Sequence, residues 1–337
     1  MNNWILNCNQ NDIVLSTKIQ LSRNIEKLPF PEKLTAIDGR KNSEYIYNSI
    51  KDRFESCDFK LFEVWNEDKT SFNEYIDKHL ISEKLLKNSD KASFMLNSDE
   101  TISIMINEED HIKIQCISSG LNLEDALEKV VKIDEKIEED VKYAFDEQFG
   151  YLTSSIENIG AAMKVNILIH LPALTMSQEI KNISKKLNNK GLEIKGLYLE
   201  GSDVLGNIYI LSNKFSLGMT EEDIIARIKE EVLNLIADEY KFREILTGKC
   251  QYELEDKIYR ALAILQHAVI IDFKEAMDLI SKVRLGIELS FIQMSNDKLN
   301  KLIVSIKDSS IESIIGRKLS EKEIKYERAN IIRKILI

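Results

Sequence analysis

The feature that most constrains the fold is a change in the period of apolar residues along the chain. Segments 13–21, 112–117 and 164–171 alternate apolar and polar residues, which is typical of half-buried β-strands. Beyond Gly248 the apolar period is helical throughout, and Gly and Pro nearly vanish. The pattern predicts an α+β domain with an antiparallel sheet over residues 1–245, its core at about 13–242, followed by a helical domain over 246–337.

Local signals refine this outline. Segments 192–199 and 207–212 are predicted to pair as strands around a turn at 201–203. Helices are predicted over 40–57 and 122–148 because apolar residues recur there at helical spacing. A third helix is predicted to begin after a capping box at Thr220, Glu221, Glu222 and Asp223, and to run to about Leu246.

An acidic cluster, residues 107–111 (Asn-Glu-Glu-Asp-His), separates the apolar run 102–106 from the strand 112–117. In that strand Ile112, Ile114 and Cys116 are predicted to share one face, and His111, Lys113 and Gln115 the other. Three carboxylates beside a cation suit binding of a cationic substrate next to a phosphate. A solvated acidic turn is the commoner use of such a cluster, so the cluster alone leaves both interpretations open.

Composition excludes several classes of protein. The formal net charge of -10 argues against a general nucleic-acid binder. The chain lacks a signal-peptide pattern at its start and any apolar run of about 18 residues, so we expect a cytoplasmic protein with no membrane span. Its four scattered cysteines have no metal-site spacing and are expected to be reduced, with no metal bound by the protein.

Cations recur at or near the ends of predicted strands. Lys18 and Gln20 are predicted to share one face of segment 13–21 with Val14 and Ser16. The other cations of this kind are Lys113, Lys164 and Lys195. Lysines outnumber arginines several-fold and Ile and Asn are abundant, which is typical of AT-rich coding, so lysine is expected where related chains use arginine.

Seven segments carry a family resemblance that spans nearly the whole chain. They are residues 12–24, 107–116, 143–154, 170–174, 196–201, 206–209 and 283–287. On these segments the chain resembles the phosphagen (ATP:guanidino) kinases, and within them most closely the bacterial protein-arginine kinases of the McsB type. The resemblance implies a phosphagen-kinase catalytic domain, an antiparallel sheet flanked by helices, followed by an α-helical C-terminal domain for dimerisation or regulation.

The resemblance also implies an activity and its partners. Such enzymes move the γ-phosphoryl group of ATP, with Mg2+, onto a guanidinium nitrogen, here of arginine side chains in protein substrates. It implies a cytoplasmic homodimer in stress response and protein quality control. An activating adaptor protein and a Clp-type unfoldase are the further partners that it implies.

Site residues follow from the resemblance position by position. Glu109 is the expected base and clamp for the guanidinium group, Glu200 its opposing partner, and Ser155 stands where the family has a reactive cysteine. The expected ATP-binding residues are Ser16, Thr17, Lys18, Ile19, Gln20, His79, Lys113, Lys164, Val165, Asn166, Ile167, Leu168, Lys195, Gly196, Leu197, Tyr198, Leu199 and Glu200.

The chain departs from the family pattern at several of these positions. Family arginines are replaced at Lys18, Gln20, Lys113, Lys164 and Lys195. Lysine offers a point charge without the bidentate fork of arginine, so these changes bear on the phosphate clamp. Leu199 stands where the family usually has a glycine, directly before the second glutamate. The phosphoarginine-reading motif is degenerate, retained at Arg328 and Ala329 and replaced at Ile324 and Lys325.

Three functions remain open from the sequence. The first is an active protein-arginine kinase with a phosphate site adapted to lysine. The second is a degenerate homologue, or pseudokinase, that binds nucleotide or partners without phosphoryl transfer. The third, a kinase of small guanidino compounds, is disfavoured by the resemblance. The eukaryotic enzymes of that kind carry a larger N-terminal helical domain, whereas the first motif here begins at Asp12, and the McsB-type helical extension favours a protein substrate.

Overall fold

The computed structural model describes residues 13–51, 59–200 and 203–336. Its main feature is an antiparallel sheet, as the alternating segments predicted. The strands of the described residues are β1 (Val14–Arg23), β2 (Lys60–Glu63), β3 (Ser93–Leu96), β4 (Ile102–Ile106), β5 (Ile112–Ser119), β6 (Phe145–Asp146), β7 (Gly150–Tyr151), β8 (Met163–His170), β9 (Leu192–Gly196), β10 (Leu199–Glu200), β11 (Asp203–Val204) and β12 (Ile208–Asn213).

Eight of these described strands form one sheet in the order β2-β3-β4-β5-β1-β8-β12-β9. The predicted pairing of strands near 192–199 and 207–212 is confirmed, because β9 and β12 are hydrogen-bonded neighbours. Two small hairpins, β6-β7 and β10-β11, stand apart from the main sheet. The α+β fold class predicted from the sequence is therefore confirmed.

A register shift near the start of β1 corrects one sequence expectation. β1 lies between β5 and β8, and its register with β8 shifts between Val14 and Ser16. Val14 consequently packs in one hydrophobic core and Leu15 in another. Lys18 and Gln20 share a face as predicted, but Val14 does not share it, because a bulge inverts the alternation on its two sides.

The helices lie on both faces of the sheet. They are α1 (Ala36–Lys51), α2 (Asn73–Asp77), α3 (Leu123–Glu138), α4 (Pro172–Met176), α5 (Ile180–Asn189), α6 (Glu221–His267), α7 (Phe273–Glu288), α8 (Asn296–Ser305), α9 (Asp308–Ile315) and α10 (Glu321–Leu336). Among the described residues, none of these helices combines the length and the apolar character needed to cross a bilayer.

Two hydrophobic cores divide the molecule. The first core joins one face of the sheet to α1, α3, α5 and the first half of α6, with Ile19, Val130 and Val165 at its centre. The second core joins the other face to the helices after residue 250, through residues such as Leu168 and Ile280. The polar groups of the candidate site lie on this second face.

Helix α6 connects the two cores without an intervening loop. It begins at the predicted capping box, where Thr220 and Asp223 bond reciprocally, but it runs to His267 rather than ending near Leu246. Cys250, with φ -146° and ψ 48°, interrupts its helical geometry. The helix packs on the first core before this kink and on the second core after it.

Two further helices differ from their predicted bounds. α3 ends at Glu138 instead of continuing to residue 148, because the following segment pairs with the end of β1. The Ala144 amide donates to the carbonyl of Asn24 at 2.7 Å, which requires an extended chain. α1 spans Ala36–Lys51, and the rest of its predicted range lies outside the described residues.

Two of the four cysteines lie within the described residues. Cys116 and Cys250 form no disulfide, whereas Cys8 and Cys57 lie outside the described residues. Cys116 is buried in the first core, and this burial raises the pKa of its thiol to about 11. It therefore behaves as a small apolar side chain at neutral pH.

Candidate active site

The acidic cluster at residues 107–111 forms the turn between β4 and β5, and most of it is buried. Asn107 has φ 56° and its side-chain amide donates to the carbonyls of Gly39 (2.8 Å) and Lys91 (3.0 Å). Four residues of the turn are buried: Asn107, Glu108, Asp110 and His111. A turn with four of its five residues buried is not a solvated acidic loop, so that interpretation is wrong.

Asp110 and His111 fix the turn to neighbouring loops. Asp110 Oδ1 accepts hydrogen bonds from Asn24 Nδ2 and from the Ser154 amide, each at 2.7 Å. Burial lowers the pKa of His111 to about 4, so its imidazole is neutral at physiological pH. These buried bonds make the turn rigid and set the position of the residue between Glu108 and Asp110.

That residue, Glu109, is the half-exposed carboxylate of the turn. Its Oε2 accepts an ion-paired bond from Lys84 Nζ at 2.7 Å. Its carbonyl accepts a bond from Ser154 Oγ at 2.7 Å. The side chain is thus held at an accessible edge of the site, where a ligand cation could reach it.

Glu108 points the opposite way, into the protein. It forms an ion pair with Lys113 and accepts a bond from Ser82 Oγ. Its Oε2 also accepts the Glu109 amide at 2.7 Å, so the two carboxylates diverge from one rigid turn. Burial alone would raise the pKa of Glu108, but Lys113 and Ser82 together lower it below its ordinary value. Glu108 is therefore ionised and anchors Lys113.

A pocket with about 320 Å3 of empty space lies beside this pair, on the second face of the sheet. Its lining residues are Ser16, Lys18, His79, Ile117, Asn166, Leu168, Leu197 and Ile210. Six of the predicted nucleotide residues are among them. The central strands β1, β5, β8 and β12 supply most of this lining, so the sheet itself fixes the pocket's shape.

Two titratable groups in the pocket are strongly perturbed. Burial, assisted by the nearby charge of Lys113, lowers the pKa of Lys18 to about 8, and Glu108 partly opposes this. Burial, with Lys18 and Lys307, lowers the pKa of His79 to about 3. At neutral pH the pocket consequently holds a cationic Lys18 and a neutral imidazole, a polarity that suits a polyphosphate with an uncharged base or sugar.

The remaining phosphate-clamp positions make other contacts. Gln20 Nε2 donates to Gln115 Oε1 at 2.8 Å on the neighbouring strand. Lys164 Nζ lies 3.3 Å and Lys195 Nζ 2.6 Å from the carboxylate of Glu193. The structure therefore brings Lys18 and Lys113 together and leaves the other two lysines on a shared carboxylate.

Several predicted nucleotide residues have their side chains in the core. Thr17 Oγ1 donates to the carbonyl of Gly120 at 2.7 Å, away from the pocket. The side chains of Ile19, Val165 and Ile167 belong to the first core. Strand alternation explains this placement, because neighbours of pocket-facing residues must face the opposite side.

The segment after β9 contributes partly. Leu197 lines the pocket, whereas Leu199 is largely exposed. A side chain at Gly196 would collide with Val204, so the small residue there permits close packing of the β10-β11 hairpin. Glu200 lies in β10, but its side chain and residues 201–202 lie outside what the structure describes. Its opposition to Glu109 stays a prediction.

Ser155 lies in the loop that touches the acidic turn. It precedes a short 3-10 turn, and its carbonyl accepts a bond from Thr153 Oγ1 at 2.8 Å. The preceding residue, Ser154, bonds both Asp110 and Glu109, so the loop is held against the candidate base. Ser155 therefore follows directly after a residue that contacts the acidic turn, and its catalytic role stays a prediction.

The degenerate C-terminal motif serves the helical packing. Arg328 is buried, and its Nε donates to the carbonyl of Ile306 at 2.8 Å and its Nη1 to that of Ile271 at 3.1 Å. Ala329 lies in the second core. Ile324 is half-buried, and Lys325 pairs with the neighbouring Glu321 at 2.9 Å. The retained arginine therefore ties α10 to the loops around it.

Two family models match the sequence, and together they cover most of it. The model described as "ATP:guanido phosphotransferase, C-terminal catalytic domain" matches residues 42–242. The chain belongs to this family. The model described as "Protein-arginine kinase McsB C-terminal domain" matches residues 251–337 of this guanido phosphotransferase.

Relatives that match this chain over their whole length are described as protein-arginine kinases. The "Protein-arginine kinase" of Clostridium botulinum is 50% identical, covering 100% of this chain and 99% of the relative. That of Clostridium acetobutylicum is 44% identical, covering 100% of both. Within the guanido phosphotransferases, the chain therefore groups with the protein-arginine kinases.

Solved structures confirm the fold of the family. A duplicated taurocyamine kinase from Schistosoma mansoni superimposes with a TM-score of 0.62 at 21% identity, covering 74% of this chain and 37% of that one. A lombricine kinase superimposes with a TM-score of 0.61 at 21% identity, covering 75% of this chain and 72% of that one. At this identity the likeness shows a shared fold alone.

Sequence reasoning missed four residues of the candidate site. Glu108 lies within the segment 107–116 that carries the resemblance, and Ser82 follows the predicted His79 by three residues, so both had a usable signal nearby. Lys84 has only a weak signal, its position shortly after His79. Lys307 had none, because it comes from the helical C-terminal part and meets the site only through tertiary packing.

Proposed function

We propose that the protein is an ATP-dependent protein-arginine kinase that transfers the γ-phosphoryl group of ATP to arginine side chains. The observation that carries the proposal is the junction at residues 108–109. Glu109 presents an accessible carboxylate, while the adjoining Glu108 holds Lys113 beside the pocket that contains Lys18. An acceptor clamp and a phosphate site are thereby built on the two sides of one rigid turn.

The chemistry follows from this arrangement. The guanidinium group of the substrate would dock on Glu109 through charge-assisted hydrogen bonds, which orient one nitrogen towards the γ-phosphorus. As the N–P bond forms and the bond to the ADP oxygen breaks, the proton leaving that nitrogen passes to Glu109. Lys18 and Lys113 offset the negative charge of the phosphoryl group in the transition state.

The described residues fit ATP and its Mg2+ as cofactors. Lys18 and Lys113 supply cations for phosphates, and the neutral His79 with Leu197 supplies a wall for an uncharged ring. Within the described ranges, no group of three or more His, Cys, Asp or Glu side chains is placed to hold a metal ion. Mg2+ would therefore enter with the nucleotide, bound mainly by phosphate oxygens and water.

A protein substrate is favoured over a small guanidino compound. Exposed apolar side chains surround the loop that touches Glu109, among them Phe149, Ile156 and Leu217. The loop is continuous with them, because the Ser216 amide donates to the carbonyl of Glu157 at 3.2 Å. Apolar surface beside the clamp suits an extended polypeptide more than a free amino acid. The description of the relatives as protein-arginine kinases supports the same choice.

Further parts of the proposal rest on family membership. We propose a cytoplasmic homodimer that acts in stress response and protein quality control, with residues 246–337 as its dimerisation or regulatory domain. An activating adaptor and a Clp-type unfoldase are the partners proposed. The match of residues 251–337 to the McsB C-terminal domain supports this assignment.

A second candidate is a nucleotide-binding homologue that performs no transfer. It is favoured by the neutral Gln20, which bonds to Gln115, and by the pairing of Lys164 and Lys195 with Glu193. These contacts leave two cations at the pocket where the family uses five arginines. Each missing charged hydrogen bond could weaken transition-state binding by about 1.5–3 kcal/mol.

The deciding experiment compares variants in one assay. Purified protein would be incubated with MgATP and an unfolded arginine-rich protein, and acid-labile phosphoarginine would be quantified by mass spectrometry. Wild-type protein should form product, and Glu109→Gln should lower the rate about 10²–10⁴-fold. Glu147→Gln, which alters an exposed carboxylate in the turn between β6 and β7, is the matched control and should retain the wild-type rate.

Two outcomes would overturn the kinase proposal. MgATP binding by calorimetry without any phosphoarginine would leave the nucleotide-binding homologue as the function. Phosphorylation of free arginine at a rate equal to or above that of the protein substrate would instead indicate a small-molecule kinase.

A further inference from the structure

The helical C-terminal part reaches the nucleotide pocket through Asp77, the last residue of α2. Lys307 Nζ lies 2.9 Å from Asp77 Oδ1, and Ser309 and Ser310 both direct their hydroxyl groups to Oδ2 of the same carboxylate. Asp77 is buried, with 8% of its surface exposed. Its carboxylate therefore lies at the N-terminus of α9, where hydroxyls, a cation and the helix dipole all stabilise a negative charge.

Lys307 also touches the segment that follows β9. Its Nζ lies 4.7 Å from the centre of the Tyr198 ring, in a cation–π contact. Tyr198 packs edge-on against Phe273 at the start of α7, with ring centres 5.4 Å apart. The residue before it, Leu197, lines the pocket. Lys307 is thus fixed against one wall of the pocket from behind.

His79, two residues after Asp77, lines the same pocket as Leu197. His79 has φ 59°, and its carbonyl accepts a bond from Gln115 Nε2 at 2.9 Å. A left-handed backbone conformation is uncommon for histidine and needs its surroundings to hold it. Burial chiefly lowers the pKa of His79, and the charges of Lys18 and Lys307 add to this.

We infer that Lys307 is a positioning residue for the nucleotide pocket: it ties Asp77 to Tyr198 and so sets the spacing of His79 and Leu197. The inference rests on the proposed function, because it takes MgATP as the ligand of this pocket. The inference goes beyond the proposed function because it makes nucleotide affinity depend on a residue of the helical C-terminal part. Lys307 acts through its neighbours and is not assigned a contact with the phosphates.

The physical reason is that one cation contacts two segments that lie far apart in the sequence. α2 and the segment after β9 are separated by over a hundred residues in sequence, and both meet Lys307. Removing its charge would leave the buried carboxylate of Asp77 with hydroxyl partners alone. The two walls would then lose the polar contact that sets their spacing, and a ligand would have to restore this spacing on binding.

The test measures MgATP affinity by calorimetry, and KM and kcat with the protein substrate. Lys307→Met should raise the Kd and KM for MgATP about 10-fold while kcat stays within about two-fold, and Lys307→Arg should restore most of the affinity. Tyr198→Phe, which keeps the ring but removes the hydroxyl that also hydrogen-bonds Lys307, should raise the Kd about two- to five-fold. Urea unfolding would be recorded for each variant to establish that it is folded.

Ser313→Ala is the matched control. Ser313 Oγ bonds Glu74 at 2.9 Å, so it joins the same pair of helices, α9 and α2, but away from Tyr198. Its Kd for MgATP should match that of the wild type. If Lys307→Met and Ser313→Ala have equal affinities, or if Lys307→Met lowers kcat alone, the inference is overturned.

The outcomes separate this inference from the proposed function. A wild-type protein that binds no MgATP overturns both. A wild-type protein that binds MgATP without phosphorylating arginine overturns the kinase proposal, while the affinities of the Lys307 variants still decide the inference. A wild-type kinase whose MgATP affinity ignores Lys307 overturns the inference alone.

Discussion

Lys84 Nζ lies 2.7 Å from Glu109 Oε2, so a cation of the protein itself pairs with the carboxylate proposed to receive the guanidinium group. A substrate arginine must displace this lysine before it can form paired hydrogen bonds with Glu109. Lys84 is more than half exposed, so its pair is weak enough to be exchanged. In the proposed kinase, the contact would therefore tune substrate affinity without blocking the site.

Replacement of Lys84 should strengthen substrate binding. Lys84→Met removes the competing cation, and we expect the KM for the protein substrate to fall about two- to five-fold with MgATP affinity unchanged. Steady-state kinetics at fixed saturating MgATP would measure this. Lys87→Met, an exposed lysine one turn further along the chain, is the control and should leave KM unaltered. A higher KM in Lys84→Met would show that Lys84 assists the substrate.

Nucleotide affinity should decline as the pH rises through the pKa of Lys18. This pKa is about 8, so the ammonium form that binds phosphate prevails below that pH. At pH 9 the charged fraction is about one-tenth, and the Kd for MgATP should be about 10-fold weaker than at pH 7. Calorimetry in buffers of different ionisation enthalpy should also detect proton uptake on binding at pH 8–9.

Lys18→Arg is the control for this pH dependence. A guanidinium group remains charged over the whole range, so its Kd should be nearly constant between pH 7 and 9. The lowered pKa of Lys18 in the wild-type protein also has a consequence for folding. Because the folded-state pKa of Lys18 lies below the usual 10.5, its protonation opposes folding below about pH 8, and this penalty is relieved as the pH rises. Equal pH slopes for wild type and Lys18→Arg would refute the assignment.

An arginine at position 20 should improve the phosphate site. Gln20→Arg replaces an amide by a fixed cation on the pocket face, and we expect the KM for MgATP to fall about 10-fold. The neighbouring Gln115 should stay in place, because its Nε2 also donates to the carbonyls of His79 and Leu80. Gln20→Met, which removes the amide without adding charge, should give no gain. Equal KM values for both variants would contradict the prediction.

The packing of α6 on α7 should depend on Gly286. A Cβ at this position would collide with Ile258 on the second half of α6. Gly286→Ala should therefore lower the free energy of unfolding by about 1–3 kcal/mol, measured by urea denaturation. Gly248→Ala is the control. Gly248 lies in α6, where an added Cβ would meet open space, so this substitution should leave the free energy of unfolding unchanged or raise it. A stable Gly286→Ala protein would show that Ile258 can move aside.

Much of the fold was predictable because strand alternation is a local property. The faces assigned to Ile114 and Lys113 are those observed, since a period of two fixes which side each residue takes. Local pattern failed where the chain interacts with a distant segment. α3 ends at Glu138 because the next residues pair with the end of β1, and the bulge at Val14 depends on the register with β8.

The candidate site divides in the same way. Its residue types, an accessible Glu109 beside the cations Lys18 and Lys113, could be predicted from motifs within single segments. The partners could not. Lys164 and Lys195 both turn to Glu193, which lies on a different strand from Lys164 and two residues before Lys195. Side-chain pairing depends on distances between strands, and a sequence does not contain them.

The sequence by itself determined the antiparallel α+β sheet, the helical C-terminal part and the family, because periodicity and motifs are local or linear features. Only the tertiary structure decided that Glu108 is buried while Glu109 is accessible. It alone placed Lys307 against Asp77, 230 positions earlier in the chain. The physical reason is that burial and long-range ion pairs arise when separate elements pack, and packing sets the electrostatic environment of each group.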